Sequence, residues 1–264
     1  MDSEIKKPIG LFDSGIGGTS IWKEIHQLLP NEHTIYLADS KNAPYGQKTA
    51  EEIIELSIKN TEYLLNKNCK LIVVACNTAT TNAITYLRAH YKIPFIGIEP
   101  AIKPASLNTE TNIIGILATK GTLNSSLFAS TSTIINSKVK IVEQIGEGLV
   151  ELIEEGKLVS IEMTHLLERN VQSLKEYNID YLVLGCTHYP YLIPQIKSII
   201  GDKVTIIDSG EAVARQTKKI LESKGLLNTQ KPNTKNLFLI NSNTAVLKTL
   251  LYDSKNIKIE ELDF

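Results

Sequence analysis

Two of the three cysteines in this 264-residue chain sit where a thiol can do chemistry. Cys76 follows the apolar run at residues 71–75, and Cys186 follows the run at 181–184. Polar residues leading into a stretch of helical period come next in both cases. Each thiol is therefore expected at the carboxyl end of a strand and just ahead of a helix. Ligands of open α/β sheets bind at that end. The free N–H groups and partial positive charge of a helix N-terminus also favour a thiolate, bringing a cysteine from about 8.5 down to roughly 3.5–7.5. A single thiol after a strand reads as an inert core residue, since free cysteine is among the most buried residue types. Two in equivalent positions argue for function. Cys69 precedes its strand within the polar run Asn66-Lys67-Asn68-Cys69-Lys70, at the other end of the sheet, and has no assigned role.

Other reactive side chains cluster around the same strand ends. Asp13 closes the first strand in Asp13-Ser14-Gly15-Ile16-Gly17-Gly18. The turn lacks the Lys-Ser/Thr ending of a P-loop and the spacing of a dinucleotide fingerprint, and its carboxylate opposes phosphate. Asp13 suits pairing with an ammonium group or assisting Cys76, though an Asx-turn or helix cap would use the same residue. His188, two residues past Cys186, is placed to orient or assist that thiol. Cys76, Cys186 and His188 do not make a zinc site, because no second pair of ligand-spaced residues joins them, and no metal is expected. Only three arginines occur, Arg88, Arg169 and Arg215, all in helical segments away from these loops. Carboxylates of a bound ligand would then rest on hydroxyls, amides and helix N-termini. Candidates are Ser14, Asn77, Thr78, Thr119, Thr122 and Thr187.

The elements that must position these groups alternate along the chain. Strands are predicted at residues 9–12, 34–38, 71–75 and 94–98, with helices at 19–29, 49–66 and 79–90 between them. Most of these strands are apolar throughout, as in a parallel sheet covered on both faces. A second set follows, with strands at 112–117, 139–144, 181–184 and 204–207 and helices at 124–134, 160–177 and 190–200. After Ser209 come another helix, a polar linker over 228–235, and a strand–helix–strand over 237–261. The fold class is α/β: two similar doubly wound lobes related by pseudo-symmetry, with the active site in the cleft between them. Two matches support a duplication. Ile9-Gly10-Leu11-Phe12-Asp13-Ser14 resembles Ile114-Gly115-Ile116-Leu117-Ala118-Thr119, and the eight residues from Leu71 to Thr78 resemble those from Tyr181 to His188. Cys76 lies 63 residues after Asp13, and Cys186 lies 67 after Thr119. Lobes facing each other would put one thiol on each side of a bound molecule. One thiolate could then remove a proton from a carbon while the opposing thiol returns one to its other face, inverting a stereocentre.

Bulk properties exclude several alternatives. With 28 basic and 29 acidic residues the net charge is −1, and no Lys/Arg stripe appears, so nucleic acid is not an expected partner. No apolar run approaches the roughly 20 residues that span a bilayer, and no signal peptide is visible. Few cysteines and no secretory signal point to a reducing cytoplasm and free thiols.

Taken together, Asp13-Ser14-Gly15-Ile16-Gly17-Gly18, Ala43-Pro44-Tyr45-Gly46, Cys76-Asn77-Thr78-Ala79, Ala118-Thr119-Lys120-Gly121-Thr122 and Gly185-Cys186-Thr187-His188-Tyr189-Pro190 resemble the glutamate racemases of the aspartate/glutamate racemase superfamily. The resemblance implies a cofactor-independent, pyridoxal-free enzyme that interconverts L- and D-glutamate for peptidoglycan synthesis. It implies Cys76 acting on D-glutamate and Cys186 on L-glutamate, assisted by Asp13 and His188. Ser14, Tyr45, Gly46, Asn77, Thr78, Thr119 and Thr187 would hold the substrate. The family has a further glutamate late in residues 144–155: Glu154 by alignment, with Glu151 and Glu155 as alternatives where Gly146-Glu147 departs from the family's Cys-Pro. Family topology implies a first lobe of residues 1–98 plus 210–264 and a second of 99–209. A homodimer is the implied assembly. The eight residues ahead of the first strand leave no N-terminal extension for an activator of the kind some members bind.

Overall fold

The computed structural model describes residues 2–134, 139–230 and 235–264. Residues 231–234 of the predicted linker lie outside them. The first half runs α1 (Asp2–Ile5), β1 (Ile9–Asp13), α2 (Thr19–Leu28), β2 (Thr34–Ala38), α3 (Ala50–Asn66), β3 (Leu71–Val74), α4 (Asn77–His90) and β4 (Phe95–Gly97). The second runs α5 (Ile102–Asn108), β5 (Ile113–Ala118), α6 (Lys120–Leu123), α7 (Ser126–Ile134), β6 (Lys140–Ile145), α8 (Leu149–Glu154), α9 (Ile161–Lys175), β7 (Tyr181–Gly185), α10 (Ile193–Ile200), β8 (Thr205–Ile207) and α11 (Gly210–Ser223). The chain closes with β9 (Asn236–Ile240), α12 (Ala245–Leu250) and β10 (Ile257–Glu261).

Two parallel sheets result. The larger has the order β10-β9-β2-β1-β3-β4 and the smaller β6-β5-β7-β8. In each, a central strand (β1 or β5) is flanked by the strand that carries a cysteine at its end (β3 or β7). Strands β1, β2 and β3 are buried at every position, which explains their unbroken apolar sequence. The two α/β lobes predicted from the sequence are present, each a parallel sheet flanked by helices.

Local chemistry sets the helix starts. Helix α3 begins in a capping box, with the Glu52 N–H donating to Thr49 Oγ1 at 3.2 Å and the Thr49 N–H to Glu52 Oε2 at 2.8 Å. Helix α4 starts two residues earlier than its periodicity predicts, because Cys76 takes the N-cap position. The helix predicted over 124–134 is α7, which starts two residues later where Ser125 Oγ accepts the Phe128 N–H at 3.2 Å as its cap, and the four-residue α6 lies ahead of the predicted range. The segment predicted as helix from 190 begins as a 3-10 turn (Tyr189–Leu192). Helices α5 and α8 have seven and six residues, too short for helical periodicity to stand out in the sequence.

The larger sheet is packed around Trp22, whose ring meets Phe238 of β9 edge-on at 4.8 Å and whose Nε1–H donates to Thr34 Oγ1 at 2.8 Å. Asn236 Oδ1 accepts from the same Thr34 hydroxyl at 3.0 Å, tying β9 to β2. At the amino end of this sheet a buried ion pair closes the base. Lys70 Nζ donates to Glu32 Oε2 at 2.6 Å, to the Ile5 carbonyl at 2.5 Å and to the Leu226 carbonyl at 2.8 Å. Glu32 Oε1 accepts the Asn228 N–H at 2.8 Å. Burial raises Glu32 and lowers Lys70, while each partner's charge pulls the other back. Lys70→Met leaves Glu32 buried without its cation, so the variant should lose about 3–5 kcal/mol of stability. A shift in the urea midpoint measures this; an unchanged midpoint would show that the pair contributes nothing.

Candidate active site

The carboxyl ends of β1 and β3 from one sheet meet those of β5 and β7 from the other. Asp13 ends β1 fully buried, with Oδ2 accepting the Gly18 N–H at 2.9 Å and the Gly15 N–H at 3.3 Å. Its Oδ1 accepts the Thr187 hydroxyl from the opposite lobe at 3.3 Å. Burial raises the Asp13 carboxyl above its ordinary value, against the lowering charge of His188.

Cys76 lies at the head of α4. Its Sγ accepts the Ala79 N–H at 3.4 Å and donates to Ser14 Oγ at 3.7 Å. The helix N-terminus alone predicts a lowered thiol. The structure reverses that: burial pushes Cys76 well above the usual thiol value, Asp13's charge adds to it, and the Ala79 N–H opposes without prevailing. Cys186 has a different setting. After β7 the chain bends into the 3-10 turn rather than an α-helix, and the positive neighbour is His188, whose Nδ1 lies 3.7 Å from Cys186 Sγ.

His188 is buried against Glu154, with Nε2 2.6 Å from Oε1. Burial works against its charged form. Hydrogen bonds to Cys186 and Glu154 outweigh that and hold the imidazole well above its usual value. The Gly17 N–H points at the same Nε2 from 3.2 Å. One nitrogen cannot both donate and accept there. The shorter, charge-assisted contact decides that Nε2–H donates to Glu154. Glu154 Oε1 also accepts the Ile16 N–H at 2.7 Å, and Oε2 accepts the Ser40 hydroxyl at 2.7 Å. Of the three glutamates offered by the sequence, Glu154 is in the site. Glu151 bonds Gln47 at 2.6 Å on the surface, and Glu155 pairs with Lys157 at 2.7 Å. The turn of β1 must be glycine for this approach. A Cβ on Gly15 would lie 1.9 Å from Glu154 Oε1, and one on Gly17 would lie 2.2 Å from His188 Nδ1.

One small cavity between the lobes, of about 10 Å³, is lined by Ser14, Tyr45, Gly46, Cys76, Asn77, Thr78, Thr119, Cys186, Thr187 and His188, with Pro44 and Val150 completing it. Both cysteines thus face one space from opposite sheets. That volume admits about one water, so a larger ligand would need the lobes to part. A cleft of about 1120 Å³ adjoins it, sharing Pro44, Gly46, Thr119 and Val150. Asn77 is buried with neither side-chain oxygen nor nitrogen partnered among the described residues. Thr78, Thr119 and Thr122 hydroxyls form a triangle across the lobes with sides of 2.8, 3.0 and 3.2 Å. Thr122 stands behind the lining rather than on it, as do Asp13 and Glu154. Tyr45 turns its hydroxyl away from the cavity to Asp39 and Asn60.

Cys69 is remote from the site, packed near Gly10 and Leu64 with its thiol pushed up to about 12 by burial. None of the three arginines lines the cavity. Among the described residues no cluster of His, Cys, Asp and Glu is arranged to hold a metal, and no helix is long and apolar enough to cross a membrane. Ser40, Tyr36 and Val150 were not singled out by the sequence. Tyr36 donates to the Gly15 carbonyl at 2.8 Å, and only contacts in three dimensions reveal these roles.

The family model for Asp/Glu/Hydantoin racemase matches residues 9–217. A glutamate racemase of Ectopseudomonas mendocina (strain ymp) is 46% identical over 229 residues, covering 86% of this chain and 87% of that one. The crystal structure of Escherichia coli glutamate racemase in complex with L-glutamate and the activator UDP-MurNAc-Ala superposes with a TM-score of 0.85 at 32% identity, over 97% of this chain and 98% of that one. Glutamate racemase of Francisella tularensis subsp. tularensis SCHU S4, in complex with D-glutamate, gives a TM-score of 0.85 at 29% identity over 98% of both chains. Two thiols facing one closed cavity, on this fold and with these relatives, place the chain in the Asp/Glu/hydantoin racemase family, among its glutamate racemases.

Proposed function

We propose that the protein interconverts L- and D-glutamate by a two-base transfer between Cys186 and Cys76, supplying D-glutamate for peptidoglycan. The observation that carries this is the pair of thiols lining one cavity from opposite sheets. In the L-to-D direction the Cys186 thiolate takes the α-proton, and the electron pair passes into the α-carboxylate as a planar carbanion. The Cys76 thiol then gives its proton to the opposite face, leaving D-glutamate, a thiol at Cys186 and a thiolate at Cys76. The charges in the site suit this starting state. Burial and Asp13 keep Cys76 protonated, and the imidazolium of His188 is the positive charge beside Cys186. In the reverse direction Asp13 takes the Cys76 proton and the His188 imidazolium gives one to Cys186, so the Cys76 thiolate removes the α-proton of D-glutamate and the Cys186 thiol protonates the opposite face.

Substrate carboxylates rest on Asn77, Ser14, Thr187, the Thr78–Thr119–Thr122 hydroxyls and the Tyr45–Gly46 backbone, with Thr122 supporting from behind. Support comes from the unpartnered Asn77 and from relatives solved with L- and D-glutamate. We take the lobes as 1–98 plus 210–264 and 99–209, a division supported by the pairing of β9 with β2.

Incubation with L-glutamate in heavy water, without pyridoxal phosphate or metal, should give loss of optical rotation and deuterium at the α-carbon. Cys76→Ser and Cys186→Ser should each lower the rate by about 10²–10⁴-fold. Full activity in either variant ends the two-base proposal; exchange with aspartate but not glutamate would reassign the substrate.

Protonation of His188 carries a second expectation. Folding raises its proton affinity, so its contribution to stability is complete below the unfolded imidazole value of about 6.5 and is lost as the pH climbs through the higher folded value. Between about pH 6 and about pH 9, urea denaturation should show a decline in stability that is shallower in His188→Asn. Equal slopes in the two proteins would mean that His188 is not held protonated.

A further inference from the structure

The three hydrogen bonds to Glu154 divide unevenly between its oxygens. Oε1 receives the His188 Nε2–H at 2.6 Å and the Ile16 N–H at 2.7 Å. Among the described residues Oε2 receives one, from Ser40 Oγ at 2.7 Å. Glu154 is the last residue of α8, and rotation about its terminal bond would swing Oε1 out of line with the imidazole. A donor on each oxygen fixes that plane. Ser40 can serve because its own backbone is held: it opens a 3-10 turn directly after Asp39, whose carboxylate accepts from Asn42 Nδ2 at 2.8 Å, Asn241 Nδ2 at 2.6 Å and the Tyr45 hydroxyl. Ser40 follows β2 of the larger sheet, whereas Glu154 and His188 belong to the lobe of the smaller one. The hydroxyl is therefore donated across the cleft.

We propose that Ser40 is a positioning residue for the Cys186 side of the reaction: its hydroxyl fixes the Glu154 carboxylate in the plane that holds His188 against Cys186. This rests on the two-thiol reading above. Ser40 does not line the cavity, so its effect falls on turnover and not on binding. The arrangement also makes the Ser40–Glu154–His188–Cys186 chain complete only when the lobes are together.

The test is steady-state racemisation of L-glutamate followed by optical rotation. Ser40→Ala should lower kcat about ten-fold with KM changed less than about two-fold, the scale of one lost hydrogen bond to a charged group. Ser40→Thr keeps the hydroxyl and should restore kcat. In a Glu154→Gln background Ser40→Ala should add little, because the two changes break the same contact. Wild-type kcat in Ser40→Ala, a Thr variant as slow as the Ala variant, or a full additional loss on top of Glu154→Gln would each overturn the proposal. The ¹⁵N shifts of the His188 imidazole read the same contact without turnover. They should change in Ser40→Ala, and unchanged shifts would equally overturn it. Changed shifts in Ser40→Ala, together with a wild-type protein that does not racemise glutamate, would count against the two-thiol reading while sustaining the contact.

Discussion

Asp13 and His188 are buried at the junction between the two sheets, and the charges of the site depend on that burial. Asp13, His188 and Glu154 lie where the carboxyl ends of β1 and β7 press together, so they must satisfy one another and the nearby backbone N–H groups. In such a low-dielectric space an unpaired carboxylate or imidazolium is costly, and a paired one interacts strongly. The glycines of the first turn permit the closeness. With side chains at Gly15 or Gly17, Glu154 and His188 would be displaced and solvent would enter.

The same constraint gives two related cysteines different surroundings. Both follow the second strand of a paired motif, yet Cys76 caps a helix beside a carboxylate while Cys186 has an imidazole beside it. A symmetric pair would have equal proton affinities and no preferred starting state. Here negative charge backs one thiol and positive charge the other, so the protein distinguishes the two groups. The lobes repeat in topology and diverge in electrostatics.

Much of the fold was legible in the chain, since strands buried on both faces must be apolar throughout, and β1 to β4 read that way. Short elements were not. Helices α5 and α8 span too few turns for a period to appear, yet α8 carries Glu154 into the site. The helix expected over 124–134 starts two residues late because the Ser125 side chain caps it there, and the four-residue α6 ahead of it is too short to show a period. Residue types and spacing similarly located Cys76, Cys186, Asp13 and His188. They could not decide among Glu151, Glu154 and Glu155, since three carboxylates within one short segment differ only in the directions their side chains take.

The sequence by itself determined the two-lobe α/β architecture and the placement of a thiol at each matching strand end. Those properties follow from hydrophobic period, turn residues and composition, which act over a few residues of chain. Tertiary structure alone decided the proton affinities. It reversed the lowered thiol expected for Cys76, because burial and Asp13 outweigh a helix N-terminus. It also selected Glu154 and brought in Ser40, more than a hundred residues away in the chain. Desolvation and charge pairing depend on which groups meet across the closed cleft, and contacts between distant segments leave no local pattern in the sequence.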